Sequence, residues 1–540
     1  MHERLVEDWL TKAKERAFQI PFAQSLLAEG MQVLRCGHSP HEHGKDITAI
    51  DSDGKVHAYQ LKGGDWSLSD FEHDLGQITA LVETPVEHPS VLGCQRHHPW
   101  LVLSGKISIP LEDRIRAHNI RWKRRPYHPL RVINGMQLLA KFSKMAGSFW
   151  PQKPEDSRNL FSLYLADGKA NLANGSFASL ITSVLKIDGK PAKTDIVRCL
   201  AVANLFASYA LSPFYRAANH WELVQGWTIT AAHIAWTAEE GKLDAKAWRP
   251  TFRLAVDAAL AASDALAVEA LEANALRPGS FCEVDEITRS RCTICAGAVA
   301  ARILAERNAG KRWVHEELGQ ETIQKLFQKG RFLLWGESAV PFFLAAVWAL
   351  DALRGDALAD GVLFSVLSGV SQMSGAKSHV KLPPPHDSAD EANAKLLRRL
   401  FEKETALELQ TADSYTLEPL VTLACRRLWR NALAARWPEI TKVGIVRLIP
   451  DRPRDLLLWR WGQQRGVEQS RLFGVPQSWR ELLNGTRKPE HQFLPAVLKD
   501  EFDFTLLFLL CYPHRLTRAL VKHMEDATSR MPILQVPSLQ

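Results

Sequence analysis

No stretch of the 540-residue chain is apolar for long enough to span a bilayer. The longest, Ala339 to Leu350, falls short of the roughly 20 residues a spanning helix needs and contains Pro341. Cysteine is scarce: eight scattered residues make no disulfide framework, which fits a reducing, cytoplasmic setting. Neither charge sign dominates, and a net charge of +7 is compatible with a nucleic-acid partner without demanding one. A composition that is 46% hydrophobic and 24% charged excludes wholesale disorder and fibrous structure. The opening residues, Met1 to Arg16, read as a polar helix with both charge signs, not as a signal peptide. No phosphate-binding loop is written in the chain. Gly310-Lys311 has Ala305 where the first glycine belongs, so an NTPase motor would be a separate protein. No internal repeat holds its spacing, which leaves little support for a solenoid.

What is present divides into three regions. Residues 1–147 alternate helical and strand-like patterns, and the rest reads as almost entirely helical. A linker with two prolines, Pro151 and Pro154, separates this region from a helical domain at 158–378. Pro383-Pro384-Pro385 then stiffens a spacer before a C-terminal helical domain at 393–540. Most of the 17 tryptophans sit in apolar helical contexts, where core packing is the expected role.

The informative stretch lies between Gly44 and Gly64. After helices at 3–17 and 21–29 and a strand at 31–36, it reads as two strands, 45–51 and 55–62, around a hairpin turn. Side chains alternate along a strand, so Gln60 and Lys62 share a face. A two-residue turn at Asp53-Gly54 would put Asp46 opposite Leu61, on the wrong face. A three-residue loop, Ser52-Asp53-Gly54, puts Asp46 opposite Gln60, and Gly54 supplies the left-handed residue that loop needs. The second register is adopted partly because it gathers Asp46, Gln60 and Lys62. A carboxylate and an amide oxygen are hard ligands suited to Mg²⁺ or Mn²⁺. A lysine beside them would orient a water or contact a phosphate, which together are the parts for phosphodiester hydrolysis.

Asp46 followed by Gln60-Leu61-Lys62 resembles the PD-(D/E)xK nuclease superfamily in its Q-x-K form, and the Mrr-like restriction endonucleases in particular. The order downstream is similar: a helix with a Ser69-x-x-Glu72 capping box, a strand at 100–105, a helix near 111–118, then a strand ending in Asn134-Gly135 and a helix. The resemblance covers about 147 residues. It implies a restriction-endonuclease-like α/β fold in the N-terminal domain, ahead of a large all-α region. It also implies a Mg-dependent endodeoxyribonuclease in prokaryotic antiviral defence, with the helical region sensing, oligomerising or docking a companion protein. The family carries a glutamate in the helix before the first strand, where Gln24 falls nearest, with Glu7 and Glu42 as substitutes. A DNA-repair nuclease is the alternative within enzymes. A non-catalytic binding or scaffold protein retaining the fold is the rival from another class.

Arg114, Arg116, Arg121, Lys123, Arg124, Arg125 and Arg131 form a run without an acid, interleaved with Trp122 and Tyr127. Such a run suits contact with DNA phosphates without base reading. A second basic stretch, Arg426, Arg427, Arg430, Arg452, Arg454, Arg460, Arg465 and Arg471, reads as a solvated helical face. Cys292 and Cys295, with Cys282 and His315, have zinc-ligand chemistry but irregular spacing, so buried free thiols are expected. His41-Glu42-His43 reads as a polar loop entering the Asp46 strand.

Overall fold

A computed structural model of the chain describes residues 2–36, 44–91, 96–146, 154–165, 167–186, 191–272, 285–353, 356–373, 382–401, 413–459, 466–472, 478–487 and 494–531. It is mixed α/β near the N-terminus and mostly helical beyond. It divides into two compact units, 1–261 and 262–540. The linker expected at 147–156 therefore falls within the first unit.

The first unit opens with α1 (His2–Lys12) and α2 (Glu15–Ala28), followed by β1 (Gln32–Cys36), β2 (Ile47–Ile50) and β3 (Val56–Lys62). Then come α3 (Leu68–His73), α4 (Leu75–Glu83), β4 (His98–Leu103), α5 (Ile109–Lys123), β5 (Arg131–Ile133) and α6 (Gly135–Ala146). The five strands form one sheet in sequence order. β1, β2 and β3 are antiparallel neighbours, whereas β3, β4 and β5 run parallel. Parallel neighbours need a crossover, supplied by α3 and α4 in one case and α5 in the other.

One sheet face carries Val56, Ala58, Leu101 and Leu103, which pack with Phe71, Ile78, Leu81 and Leu111 of α3, α4 and α5. On the other face the Phe22 ring of α2 meets Tyr59 edge-on at 5.2 Å. α2 was expected to begin at Pro21, but it starts at Glu15 and takes Pro21 into its interior. An interior proline costs about 3 kcal/mol. Phe18, Ile20, Phe22 and Leu26 are all buried on that helix, each worth roughly 1.5–3 kcal/mol, so packing outweighs the break. The capping box also moves: Ser67 and Asp70, not Ser69 and Glu72, bond each other's backbone at the start of α3.

Six helices complete the unit: α7 (Pro154–Leu165), α8 (Asn174–Leu185), α9 (Lys193–Ala210), α10 (Ser212–Ala217), α11 (His220–Glu240) and α12 (Ala245–Leu271), the last running past its boundary. α9 packs on both α2 and α6.

The second unit contains α13 (Asp285–Asn308), α14 (Glu316–Gln328), α15 (Val340–Ala352), α16 (Asp356–Met373) and α17 (Ala389–Phe401). It continues with β6 (Asp413–Ser414), α18 (Leu417–Arg426), α19 (Arg430–Ile440), β7 (Gly444–Pro450), β8 (Gly466–Leu472), α20 (Trp479–Arg487), α21 (Ala496–Asp500), α22 (Phe502–Cys511) and α23 (Arg518–Thr528). The C-terminal region is thus not purely helical: β7 pairs antiparallel with β8 and parallel with the short β6. Its arginines are a solvated face only in part: Arg430, Arg452 and Arg471 are exposed. Arg427 is only 13% exposed and meets Asp351, Asp360 and Glu525, while Arg426 pairs with Asp526. Arg460 and Arg465 lie outside the described residues. Glu337 is buried beneath β6, where it accepts the Ser414 hydroxyl and the Tyr415 N–H. Burial pushes its carboxyl up to about 7. Cys292 and Cys295 are free thiols on α13, Cys292 buried, and Cys282 lies outside the described residues.

Candidate active site

The β2–β3 register pairs Ile47 with Tyr59 and Ile50 with Val56, so one step further places Asp46 across from Gln60. The turn is the three-residue loop 52–54: Asp51 N–H donates to Lys55 O, and Gly54 takes φ +79°. Asp46 grips the partner strand on both sides of Gln60. Its N–H donates to Tyr59 O at 2.9 Å, and its Oδ2 accepts the Leu61 N–H at 2.6 Å. From α2, the Gln19 amide donates to Asp46 O at 3.2 Å.

Gln60 and Lys62 meet α4 through one residue. Gln77 Oε1 accepts from Gln60 Nε2 at 2.9 Å and from Lys62 Nζ at 3.0 Å. The Lys62 ammonium, 12% exposed, also pairs with Asp74 at 2.8 Å and lies 3.7 Å from Glu15. Because the Gln60 amide nitrogen is engaged by Gln77, its Oε1 points the other way. That oxygen is buried and finds no donor among the described residues. A buried acceptor left without a donor costs about 1–3 kcal/mol, so this one needs an explanation.

Gly63 brings the helix in. A side chain there would stand 2.9 Å from Ala13 O and 3.6 Å from the Glu15 nitrogen, so only a hydrogen lets the start of α2 lie against the end of β3. The Glu15 carboxylate thereby comes to 3.7 Å from the Lys62 ammonium. Gln24, the residue favoured for that place, is directed elsewhere: its amide donates to Thr251 Oγ1 at 3.2 Å and accepts from Asn204 Nδ2 at 3.1 Å. Glu7 is exposed on α1, and Glu42, with His41 and His43, lies outside the described residues. Asp46, Gln60 and Lys62 are therefore brought together, and Glu15, Gln19, Asp74 and Gln77 join them. Glu15 and Gln19 sit one turn apart, a signal obscured by placing the helix break at Pro21.

The basic run is partly neutralised and mostly distant. Arg114 pairs with Glu72 at 2.6 Å, Arg116 with Asp113 at 2.8 Å and Arg125 with Glu83 at 3.3 Å. Arg121, Lys123 and Arg124 are exposed. α5 leaves the Lys62 end of the sheet and runs back over 15 residues, about 22 Å. Its C-terminal cations thus lie toward the opposite end of the parallel strands, where Trp100 of β4 pairs with Arg131 of β5. There the Arg131 guanidinium covers the Trp100 ring at 5.1 Å, and His98 stacks on His128 at 4.0 Å. Burial, reinforced by His128 and His57, lowers His98 to about 4, so it is neutral at pH 7.

Among the described residues no three His, Cys, Asp or Glu side chains are grouped to hold a metal ion. No family model, curated protein or solved structure matches the chain.

Proposed function

We propose that the chain is a metal-dependent endonuclease that hydrolyses phosphodiester bonds of DNA, with the N-terminal sheet forming a PD-(D/E)xK, Mrr-like core. The observation that carries this reading is the buried Oε1 of Gln60, which has no donor among the described residues and belongs to the residue across the strand from Asp46. Two hard oxygens fit Mg²⁺ or Mn²⁺, ions that commonly keep several waters and complete their shell with substrate phosphate. Such an ion acidifies bound water and offsets charge developing on the phosphoryl oxygens. Gln19 and the Leu61 N–H fix Asp46. Gln77 orients the Gln60 amide and, with Asp74, holds the Lys62 ammonium where it would meet the scissile phosphate. Glu15 supplies a further carboxylate at the edge of the site.

The element order supports the same reading: after the β2–β3 hairpin come helix, strand, helix, strand and helix, the order on which the resemblance rests. The resemblance extends the proposal to prokaryotic defence, with the helical remainder restraining cleavage. The test is incubation of purified protein with supercoiled plasmid in Mg²⁺, Mn²⁺ or EDTA. Nicking or linearisation that needs the metal is expected. A non-catalytic protein retaining the fold is the rival, favoured by the small number of acidic ligands. It predicts DNA binding with an intact plasmid under every metal tested.

A further inference from the structure

One face of the N-terminal sheet carries two rows of flat side chains that cross β3 and β4 and end on the β5 side. The first row runs from His57 to His98 to His128, with ring centres 5.1 Å and then 4.0 Å apart and planes tilted by no more than 28°. The second runs from Tyr59 to Trp100, 6.1 Å apart, and ends on the Arg131 guanidinium, 5.1 Å from the indole ring centre. The strand register builds both rows, since it sets His57 beside His98, Tyr59 beside Trp100, and Trp100 beside Arg131.

A chain of hydrogen bonds fixes the rings. The Trp100 indole N–H is a donor only, so His57 Nδ1 accepts it at 3.1 Å. The His57 proton therefore sits on Nε2, which donates to Asp51 at 2.9 Å. A platform held in this way loses little freedom when something stacks on it. Among the described residues β5 is the last strand of the sheet, and His128 stacks on no ring besides His98. His128 is half-buried, and Arg131 and Arg96 are exposed. Burial, and then these same two cations, lower the His128 pKa, so its ring is mainly neutral at pH 7. A neutral ring face flanked by two guanidiniums suits a base and its phosphates, because every base has a face to stack and guanidinium binds phosphate. Bases within a duplex are already stacked on both sides, so an unpaired one is needed to extend the row.

We propose that this edge of the sheet holds a single strand of DNA, with an unpaired base stacked on the outer face of His128 and flanking phosphates held by Arg131 and Arg96. It lies at the opposite end of the parallel strands from Lys62. The choice of DNA rests on the nuclease reading; the stacking site does not.

Fluorescence anisotropy of the full chain in EDTA tests it. No metal-dependent cleavage occurs there, so failure to bind is distinct from failure to cleave plasmid. The probes are a labelled oligothymidylate of about 12 nucleotides, within the span of known stacking grooves, and an abasic strand of the same length. The abasic strand keeps the phosphates and lacks the bases, and it should bind about tenfold or more weakly, the scale of one lost base stack. His128→Ala should weaken oligothymidylate by a similar factor and leave the abasic strand unchanged, whereas His128→Phe should keep most of the affinity. Arg131→Gln should weaken both strands and flatten the salt dependence by about 0.7 of a unit of slope, the share of one phosphate on a single strand. Equal affinity of the wild type for the two strands overturns the proposal, and that comparison needs no variant to fold. Unchanged oligothymidylate binding by His128→Ala also overturns it, as does a wild-type salt slope in Arg131→Gln.

Discussion

The two units each bury a polar cluster, and the clusters are built around opposite charges. Around β3 the Lys62 ammonium faces the carboxylates of Asp74 and Glu15, while the oxygen of Gln60 has no donor among the described residues. Around α18 the single carboxylate of Glu418 faces three guanidiniums. A polar cluster that served stability alone would be matched in charge, because each unmatched buried group costs free energy. In the first cluster the group left unmatched among the described residues is the Gln60 oxygen, which suits a cation.

The comparison breaks most completely if the first cluster is inert. Asp46→Ala and Lys62→Ala should each lower metal-dependent plasmid cleavage by at least about a thousandfold, consistent with losing charge stabilisation in the transition state. Far-UV circular dichroism should show both folded. Wild-type cleavage by either variant would remove the chemistry from this patch.

Gln60 sharpens the point about the missing cation. Gln60→Ala should raise the Mg²⁺ concentration for half-maximal activity by about tenfold or more, the scale of one lost oxygen ligand. Gln60→Glu should retain activity and shift the Mg²⁺/Mn²⁺ preference. Identical metal titrations for wild type and Gln60→Ala would make Gln60 a strand residue and nothing more.

Glu337 is the second unit's exception, a buried carboxyl whose pairing comes from neutral donors rather than cations. Its folded pKa, raised to about 7 from an ordinary 4.5, means the fold favours the protonated form. The linked stability is therefore complete below pH 4.5 and is lost as pH rises through 7, by an amount of order 3 kcal/mol. Glu337→Gln should flatten that dependence. Denaturant midpoints between pH 5 and 8 measure it, and parallel curves for both proteins would show the carboxyl to be immaterial.

The smallest effect is expected at the far end of α5. Replacing Arg121, Lys123, Arg124 and Arg125 together should weaken DNA binding equally on unrelated sequences. It should also flatten the salt dependence by fewer than about four units of slope, one for each phosphate that the variant no longer neutralises. Arg125 is already paired with Glu83, which lowers its share. Binding isotherms at several salt concentrations in an Asp46→Ala background decide this. An unchanged slope would confine DNA to the Lys62 end of the sheet.

Local patterns were readable in the chain, and tertiary choices were not. Alternation in 55–62 put Gln60 and Lys62 on one face, and the loop-ending Gly54, with a register adopted partly for its chemistry, set Asp46 opposite Gln60. Pro21 misled because its local cost is visible in sequence, whereas the buried Phe18, Ile20 and Phe22 that outweigh it are visible only when packed. That one displaced helix start hid Glu15 and put Gln24 in its place. The β7–β8 ribbon was hidden for a related reason. Arg447 interrupts an apolar run in β7, and its acidic partner Glu418 lies on a preceding helix. In the basic run, the absence of acids along the chain concealed Glu72 and Glu83, which arrive from α3 and α4.

The hydrogen bonds that Gln24 donates to Thr251 and accepts from Asn204 bear on how this protein can be taken apart or recombined. They tie α2, which carries Glu15 and Gln19, to helices more than a hundred residues downstream. A chain truncated at 147 would keep every strand of the sheet, yet strip the cover from α2 and α6 and expose the apolar surface that α9 packs on. Domain-shuffling at that linker would therefore yield an insoluble or miscut cassette. The transplantable module extends through the first unit, to about residue 261.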